Sequence, residues 1–233
     1  MKIALFGIAD LKTGKHNLRD PRLDRAHELV QADKKTQAQV DVIGPDELQD
    51  ADVILASGPS KADLILRDLE FVETRLGREP QPEERSVLEK IKALLEAEQF
   101  IRDAGLGALE SQAVAAHNFC TAKPIVLAPP EELSQPEPVL LRAFAEGGYI
   151  CFLTVGGKEN RAWPIRKGTT AWEAAASIHS DLQKGFIRAE VISFADFIAA
   201  GGETQAKRAG KLRLETKQYL IQDYDLVNFR FSK

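Results

Sequence analysis

The sequence predicts an α/β protein in two parts, a reduced platform of parallel strands followed by a small sheet crossed by one helix. Two observations lead to this division. Strand-like apolar runs dominate residues 1–157 outside one long helical insertion, and the formal charge changes sign near Gly156-Gly157. Residues 1–159 hold 19 basic and 27 acidic side chains, whereas residues 160–233 hold 12 and 8. A charge reversal at a Gly-Gly pair is typical of a domain boundary.

Continuous apolar runs rich in strand formers predict the strands of the platform. Runs of this kind suit strands that are buried on both faces of a parallel sheet. They occupy residues 2–8, 39–43, 52–56, 123–128 and 149–155. Between the first two runs, Leu23, His27 and Val30 are spaced three to four residues apart, which predicts a short helix from Pro21.

Residues 61–76 and 82–103 show helical periodicity instead. Apolar side chains recur there every three or four residues among many charges, and Gly77 and Pro80 separate the two stretches. The pattern predicts a pair of antiparallel helices, the second of about six turns. We therefore expect a helical hairpin over residues 61–120, inserted into a platform made of residues 1–60 and 121–157.

Shorter runs after the Gly-Gly pair predict a second domain over residues 158–233. The strands expected in it are residues 161–166, 188–193, 211–215, 218–222 and 227–231. A helix is expected over residues 171–179, and a tight turn over residues 223–225. A small sheet with one helix across it fits this order of elements.

Composition excludes several classes of protein. The net charge of −4 argues against a protein that coats nucleic acid along its whole surface, although a local basic face remains open. Cys120 and Cys151 are far apart and lie in or beside apolar runs, so both are expected to be reduced and buried. The longest apolar run is far shorter than the roughly 20 residues that cross a bilayer. The N-terminus does not resemble a signal peptide, and we expect a soluble cytoplasmic protein without a membrane partner.

The four histidines predict neither a metal centre nor a catalytic site. None has a histidine or cysteine at ligand spacing, so no metal is expected. The adjacent residues His179, Ser180 and Asp181 invite comparison with a catalytic triad, but neighbours in one loop cannot ordinarily form such a relay. A turn or helix-end role is expected for Ser180 and Asp181, and no catalytic residue is assigned.

The C-terminal segment resembles a known family. Residues 161–233 contain AWPIRKG, IHSDLQKGFIRAEV, AGKLRLE and the turn QDYD. These motifs are similar to the C-terminal domain of the YchF/Obg-like P-loop NTPases, a TGS-type β-grasp module. The resemblance implies a β-grasp fold here and an association with RNA or the ribosome.

A weaker resemblance extends upstream over most of the chain. Residues 20–24, DPRLD, are similar to the stretch that follows switch I in the family. Residues 68–76 are similar to the start of its helical insertion, and residues 121–124 to the strand before its base-specificity loop. The resemblance therefore implies that the platform is a reduced P-loop-like α/β domain.

The nucleotide motifs of that family are absent or broken in this sequence. A P-loop needs GxxxxGK[ST] between a strand and a helix. Here the strand ends at Gly7, Gly14-Lys15 arrives two residues late, and His16 stands where Ser or Thr is needed. Gly44-Pro45-Asp46 replaces the DxxG element, and Ala128-Pro129-Pro130-Glu131 replaces NxxE. We expect a degenerate site without NTP hydrolysis and without a cofactor, of which Gly7, Gly14 and Lys15 are the remnant.

Basic residues of the C-terminal segment are the candidate nucleic-acid contacts. Such residues neutralise phosphates in a salt-dependent way, although they also serve as solubilising charge. The candidates are Arg161, Arg166, Lys167, Lys184, Arg188, Lys207, Arg208, Lys211 and Arg213. Nearby Trp163, Trp172, Phe186 and Phe194 are expected in the core rather than stacked on bases.

The favoured interpretation is a noncatalytic binding or regulatory protein that contacts the ribosome or its RNA through the TGS-like domain. Fold kinship alone does not establish such a function. One alternative is a weak NTPase or a protein that still binds ATP or GTP with Mg²⁺. Another is that the helical hairpin or the C-terminal sheet recognises a protein partner.

Overall fold

The computed structural model describes residues 1–232, except for the side chains of Leu109 and Ala113. The strands are β1 (Lys2–Phe6), β2 (Gly14–Leu18), β3 (Lys34–Thr36), β4 (Ala38–Ile43), β5 (Val53–Ser57), β6 (Ile125–Ala128), β7 (Tyr149–Thr154), β8 (Glu159–Arg166), β9 (Phe186–Ile192), β10 (Arg213–Glu215) and β11 (Leu226–Phe231). The α-helices are α1 (Pro21–Leu29), α2 (Lys61–Leu76), α3 (Pro82–Glu96), α4 (Ala108–His117), α5 (Pro130–Leu133), α6 (Pro136–Glu146), α7 (Ala171–Ile178), α8 (Ser180–Lys184), α9 (Phe194–Ala200) and α10 (Glu203–Arg208).

The chain divides into two compact units. The first comprises residues 1–16 and 40–147, and the second comprises residues 17–39 together with the chain from Gly148 onward. These units cut the sequence at different places from the predicted domains. The segment 17–39 belongs to the second unit although it lies far from the rest of that unit in sequence.

A five-stranded sheet in the order β2-β4-β1-β5-β6 forms the platform. Strand β1 pairs in parallel with both β4 and β5, and β5 pairs in parallel with β6. All five residues of β5 are buried, because this strand has neighbours on both sides and covered faces. Strands β1, β4, β5 and β6 therefore pair in parallel as their apolar runs predict, whereas β2, a polar segment, was not predicted as a strand.

The helical insertion has two long helices, as predicted, but the second is shorter. Helix α3 ends at Glu96 after about four turns rather than six, and a separate 3₁₀ turn follows over residues 101–103. The two helices share a core with the buried side chains Ile65, Val72, Leu88, Ile91 and Leu95. Helix α4, which the sequence analysis did not predict, contributes Val114 to the same core.

A buried carboxylate ties helix α2 to the segment that leads into β6. Asp68 is 4% exposed and accepts hydrogen bonds from the backbone N–H groups of Cys120 at 3.1 Å and Thr121 at 2.7 Å. The Thr121 hydroxyl donates a third hydrogen bond to it at 2.7 Å. Burial raises the pKa of Asp68, and the three donors oppose that rise.

The second unit is built on a six-stranded mixed sheet in the order β10-β9-β11-β7-β8-β3. Helix α7 covers one face, where its alanines pack against Phe152, Ile165 and Val191. Strand β7 was predicted in the platform, but it pairs with β8 and β11 in this sheet instead. Residues 218–222, predicted as a strand, form only a single bridge, between Leu220 and Thr170.

The segment 17–39 adds one helix and one strand to the second unit. Strand β3 pairs in parallel with β8, with Lys35 opposite Asn160. Asn160 is fully buried, and its amide group bonds to His27 Nδ1 at 2.9 Å and to the carbonyl oxygen of Val30. Its side-chain oxygen accepts a hydrogen bond from the N–H of Gly156. This buried amide therefore fixes the segment to the sheet.

An arginine at the start of helix α1 bridges two turns of the second unit. Arg22 donates side-chain hydrogen bonds to both carboxylate oxygens of Asp20 and, through Nη1, to Asp223 at 2.6 Å. Its guanidinium group lies 3.6 Å from the centroid of the Tyr224 ring. The DPRLD and QDYD motifs of the sequence are therefore in direct contact.

Candidate functional site

In a parallel α/β sheet, ligands ordinarily bind beyond the carboxyl ends of the strands. At the end of β1, Gly7 adopts a φ of +65°, and a Cβ placed there would lie 1.8 Å from Ser60 Oγ. The hydroxyl groups of Ser57 and Ser60 bond to each other at 2.7 Å beside it. Two serine side chains therefore pack closely against the glycine that ends β1.

Gly14 and Lys15, the other two remnant residues, lie in a strand. They begin β2, both are exposed, and His16 Nε2 donates a hydrogen bond to the carbonyl oxygen of Lys12 at 2.7 Å. The first helix after them is α1, and its capping residue Asp20 accepts a hydrogen bond from the N–H of Arg22. A phosphate-binding loop instead needs its glycine-lysine pair at the N-terminus of a helix.

The ends of β4 and β6 do not carry the DxxG and NxxE motifs of a nucleotide site. After β4, Gly44 leads into a 3₁₀ helix over Pro45–Asp50. After β6, Arg142 donates hydrogen bonds to the carbonyl oxygen of Leu127 at 3.2 Å and to Glu132 Oε2 at 2.5 Å. Arg142 thus connects the end of β6 to helix α5.

Within residues 1–232, no three His, Cys, Asp or Glu side chains are grouped so that they would hold a metal ion. Cys120 and Cys151 are both free and buried, as predicted. Burial raises the pKa of both thiols, which keeps them protonated at neutral pH.

His179 Nδ1 accepts a hydrogen bond from the N–H of Asp181, so it caps the short helix α8. No helix of the described chain is long and apolar enough to cross a membrane.

The nine candidate cations do not share one face of the second sheet. Arg213 is opposite the core residue Val191 and therefore projects toward the side of α7, whereas Arg188 alternates with the core residue Ala189 and projects to the other side. Arg161 stacks on Trp163, with its guanidinium carbon 3.9 Å from the ring centroid.

Several of these cations already have acidic partners. Lys207 pairs with Glu203 at 2.6 Å, Lys211 with Asp196 at 3.1 Å, and Arg213 with Glu215 at 3.0 Å. Arg161 lies 4.0 Å from Glu159. Lys167, Lys184 and Arg208 have no carboxylate partner among residues 1–232. Exposed ion pairs contribute little to stability, so a phosphate group could replace the carboxylate partners of these cations at small cost.

The two units differ strongly in charge. The first carries 13 Lys and Arg against 22 Asp and Glu, a net charge of −9. Residues 17–39 and 148–233 carry 18 against 13, a net charge of +5. The segment 17–39 adds Lys34 and Lys35 of β3 to the cations of the second unit, and neither was among the candidate nucleic-acid contacts. Those candidates also did not include Arg230 or the exposed Phe231 of β11.

The fold defines the class of protein. The chain is an α/β protein with a helical insertion in its parallel platform and a second unit built on a mixed sheet. Several known proteins are similar to it. The family YchF-GTPase_C, described as a protein of unknown function (DUF933), matches residues 149–232. That match begins one residue after Gly148, where the second unit resumes.

Relatives extend the likeness over most of the chain. The ribosome-binding ATPase YchF of Haemophilus influenzae is 34% identical over 249 residues, covering 80% of this chain and 67% of that protein. The ribosome-binding ATPase YchF of Haemophilus ducreyi is 36% identical over 202 residues, covering 64% of this chain and 56% of that protein. The chain belongs to the YchF family.

A solved structure supports the fold. The Schizosaccharomyces pombe YchF GTPase superposes with a TM-score of 0.81 at 18% sequence identity, covering 99% of this chain and 97% of that one. The resemblance to YchF that the sequence indicated and the α/β fold class are therefore confirmed.

Proposed function

We propose that this chain is a noncatalytic YchF-family protein that binds the ribosome in the cytoplasm through its second unit, a TGS-type module that contacts RNA. The separation of charge carries the proposal, since a net charge of +5 on one unit favours a polyanionic partner. Relatives of this chain are named ribosome-binding ATPases, which supports the same partner.

The structure of the platform supports the loss of hydrolysis. Phosphoryl transfer depends on backbone N–H groups, a lysine and a metal-binding hydroxyl held together at the phosphates. Here Gly14 and Lys15 begin a strand, and His16 follows them. We propose that Gly7, Gly14 and Lys15 are a degenerate remnant that neither binds nor hydrolyses NTP.

A second candidate function is residual binding of ATP or GTP with Mg²⁺. Two observations favour this candidate. The relatives are named ATPases, and a glycine with positive φ, Gly7, still follows β1. The two candidates differ in one measurable property, the affinity of the full chain for nucleotide.

Equilibrium dialysis of the full chain with labelled ATP and GTP in the presence of Mg²⁺ is expected to show no saturable binding at micromolar protein. The reason is that the three remnant residues lack the helix that would complete the phosphate site. Lys15→Ala is the matched variant. Saturable binding by the wild type contradicts the proposal, and its loss in Lys15→Ala would assign the binding to the remnant.

Sedimentation with purified ribosomes tests the proposed partner. The full chain is expected to co-sediment and to be released by added salt, because phosphate contacts release counterions. Lys167→Glu/Lys184→Glu is expected to weaken the association at least tenfold. Lys12→Glu/Arg78→Glu, which makes the same charge change at exposed positions of the first unit, is the control and is expected to bind as the wild type does.

The outcome separates the proposal from a protein-binding role. Equal loss in both double variants would indicate a general charge effect and contradict a surface on the second unit. Salt-insensitive binding that neither variant changes would favour recognition of a ribosomal protein rather than RNA.

A further inference from the structure

One end of the second sheet projects as a two-stranded ribbon. Strand β11 runs parallel to β7 with Leu226 opposite Leu153, so residues beyond 228 pass the end of β7. On the other side, β10 pairs only with residues 189–191 of β9. We call residues 186–188 and 229–231 the ribbon tip. Among the described strands, no third one pairs with it.

Two arginines lie directly opposite each other on the ribbon tip. Arg188 of β9 is the register partner of Arg230 of β11. Side chains in such a pair stand about 5 Å apart at Cβ, and like charges there are destabilising. Both residues are exposed. The repulsion between them would be relieved by an anion held between the two guanidinium groups.

A single carboxylate serves this pair. Glu190 accepts hydrogen bonds from Asn228 Nδ2 at 2.8 Å and from Arg230 Nη2. Burial alone would raise the pKa of Glu190, but these donors lower it overall, so the carboxylate is ionised at neutral pH. Among residues 1–232, the guanidinium group of Arg188 bonds to its neighbour's carbonyl oxygen alone, that of Ile187, at 3.1 Å. Within that range, one negative charge thus faces two positive charges.

A cleft of about 800 Å³ lies beside the ribbon tip, between helix α8 and the end of β11. Its apolar lining comes from Leu182 and Phe231, and the Phe231 side chain is 40% exposed. Lys184 lines the same cleft. The acidic residue of the rim, Asp181, lies 3.4 Å from His179. Phe231 is opposite Phe186, a residue of the core under α7, whereas Arg188 and Arg230 project from the other face of the ribbon. An exposed aromatic ring with one cation beside it and two more across the strand can stack a base while neighbouring phosphates are bound.

We propose that a single-stranded RNA crosses the ribbon tip, with one base stacked on Phe231 and a phosphate at Lys184 in the cleft, and with a further phosphate of the same strand held by Arg188 and Arg230 on the opposite face of the ribbon. The inference deepens the proposed function, on whose RNA partner it rests, by naming the surface and the form of the RNA. An acidic peptide would use the cations but would leave the aromatic ring without a role. A duplex would not offer an unstacked base to it.

The test measures the affinity of the full chain for a fluorescent 12-nucleotide oligouridine and for a 12-base-pair RNA duplex. The single strand is expected to bind more tightly. Phe231→Ala is expected to weaken that binding about tenfold with little change in salt dependence, and Phe231→Trp to restore it. Arg188→Ala/Arg230→Ala is expected to reduce the slope of log affinity against log salt by roughly 0.7 for each phosphate contact removed.

Two variants elsewhere in the second unit serve as controls. Leu220→Ala removes a side chain that is 50% exposed, and Lys217→Ala removes an exposed cation. Both are expected to bind the oligomer as the wild type does, and thermal unfolding of every variant checks that it is folded. Binding that the Phe231 and arginine changes leave unaltered overturns the inference, as does preference for the duplex or for a polyglutamate peptide.

Ribosome sedimentation distinguishes this failure from failure of the proposed function. If the wild type and the ribbon-tip variants sediment equally with ribosomes, the ribbon-tip inference is wrong and the proposed function stands. If the wild type binds the oligomer through Phe231 but does not sediment with ribosomes, the ribbon-tip surface is supported and the proposed partner is wrong.

Discussion

Arg22→Ala is expected to lower the free energy of unfolding of the second unit by about 2 kcal/mol. The change removes the three side-chain hydrogen bonds to Asp20, whose side chain is only 7% exposed, and leaves that carboxylate short of a cationic partner. It also removes the bond to Asp223 and the contact of the guanidinium group with the Tyr224 ring. Because Arg22 itself is 41% exposed, the loss is smaller than for a fully buried pair.

Tryptophan fluorescence during denaturation with urea isolates this effect. The chain has two tryptophans, Trp163 and Trp172, and both belong to the second unit. Their emission therefore reports unfolding of that unit. A change in the midpoint of the transition without a change in its slope measures the loss of stability.

Arg25→Ala is the matched control for this prediction. Arg25 lies on the same helix, three residues further on, and within the described part of the chain its one ion pair is with the exposed Glu28. Its removal is expected to change stability by less than 0.5 kcal/mol. Arg22→Lys is expected to lose most of the stability that Arg22→Ala loses, because an ammonium group cannot reproduce the forked hydrogen bonds. Equal stability of Arg22→Ala and Arg25→Ala would contradict this account.

The sequence predicted most strands and helices but not which sheet they join. Strand β7 is a continuous apolar run, and such a run predicts burial on both faces but does not indicate which strands pair with it. Residues 20–24 and 223–224 were both noticed as motifs, yet about 200 positions separate the two sides of the Arg22–Asp223 bond. Local periodicity carries no information on pairings at that separation.

Short polar edge strands were missed for a related reason. Strand β3 is Lys-Lys-Thr and has no apolar side chain. It pairs with β8 through backbone hydrogen bonds that any sequence can make and through polar contacts of Lys34 and Thr36 with Glu159. Strand β2 is similar, with only Leu18 buried. A pattern of alternating burial cannot reveal strands that bury almost nothing.

The candidate RNA contacts could be predicted as a set of residues but not as a surface. Proximity in sequence grouped Lys211 and Arg213, whereas strand pairing brings Arg188 next to Arg230, 42 positions away. The signal for Arg230 and Phe231 is present in the alternation of β11, where buried Phe229 is followed by two exposed residues. Only the register of the sheet shows that Arg230 meets a second arginine.

Asp68→Ala is expected to have the largest effect on stability, about 3 kcal/mol in the first unit. The change leaves three donors without a partner, the N–H groups of Cys120 and Thr121 and the Thr121 hydroxyl. Each buried donor that loses its acceptor costs about 1–3 kcal/mol, and a water that enters the vacated space would recover part of this. Asp68→Asn is also expected to be destabilising, because an amide presents an N–H₂ group where one carboxylate oxygen accepted.

Hydrogen exchange measured by mass spectrometry locates this effect, since the first unit contains no tryptophan. The peptide that spans residues 119–124 is expected to exchange faster in Asp68→Ala, because its amides lose the carboxylate that held them. Glu70→Ala, two residues further along α2 at an exposed position, is the control and is expected to exchange as the wild type does. Unchanged exchange at residues 119–124 in Asp68→Ala would show that α2 and that segment are held together by apolar packing alone, and that the buried carboxylate is not what fixes this segment before β6.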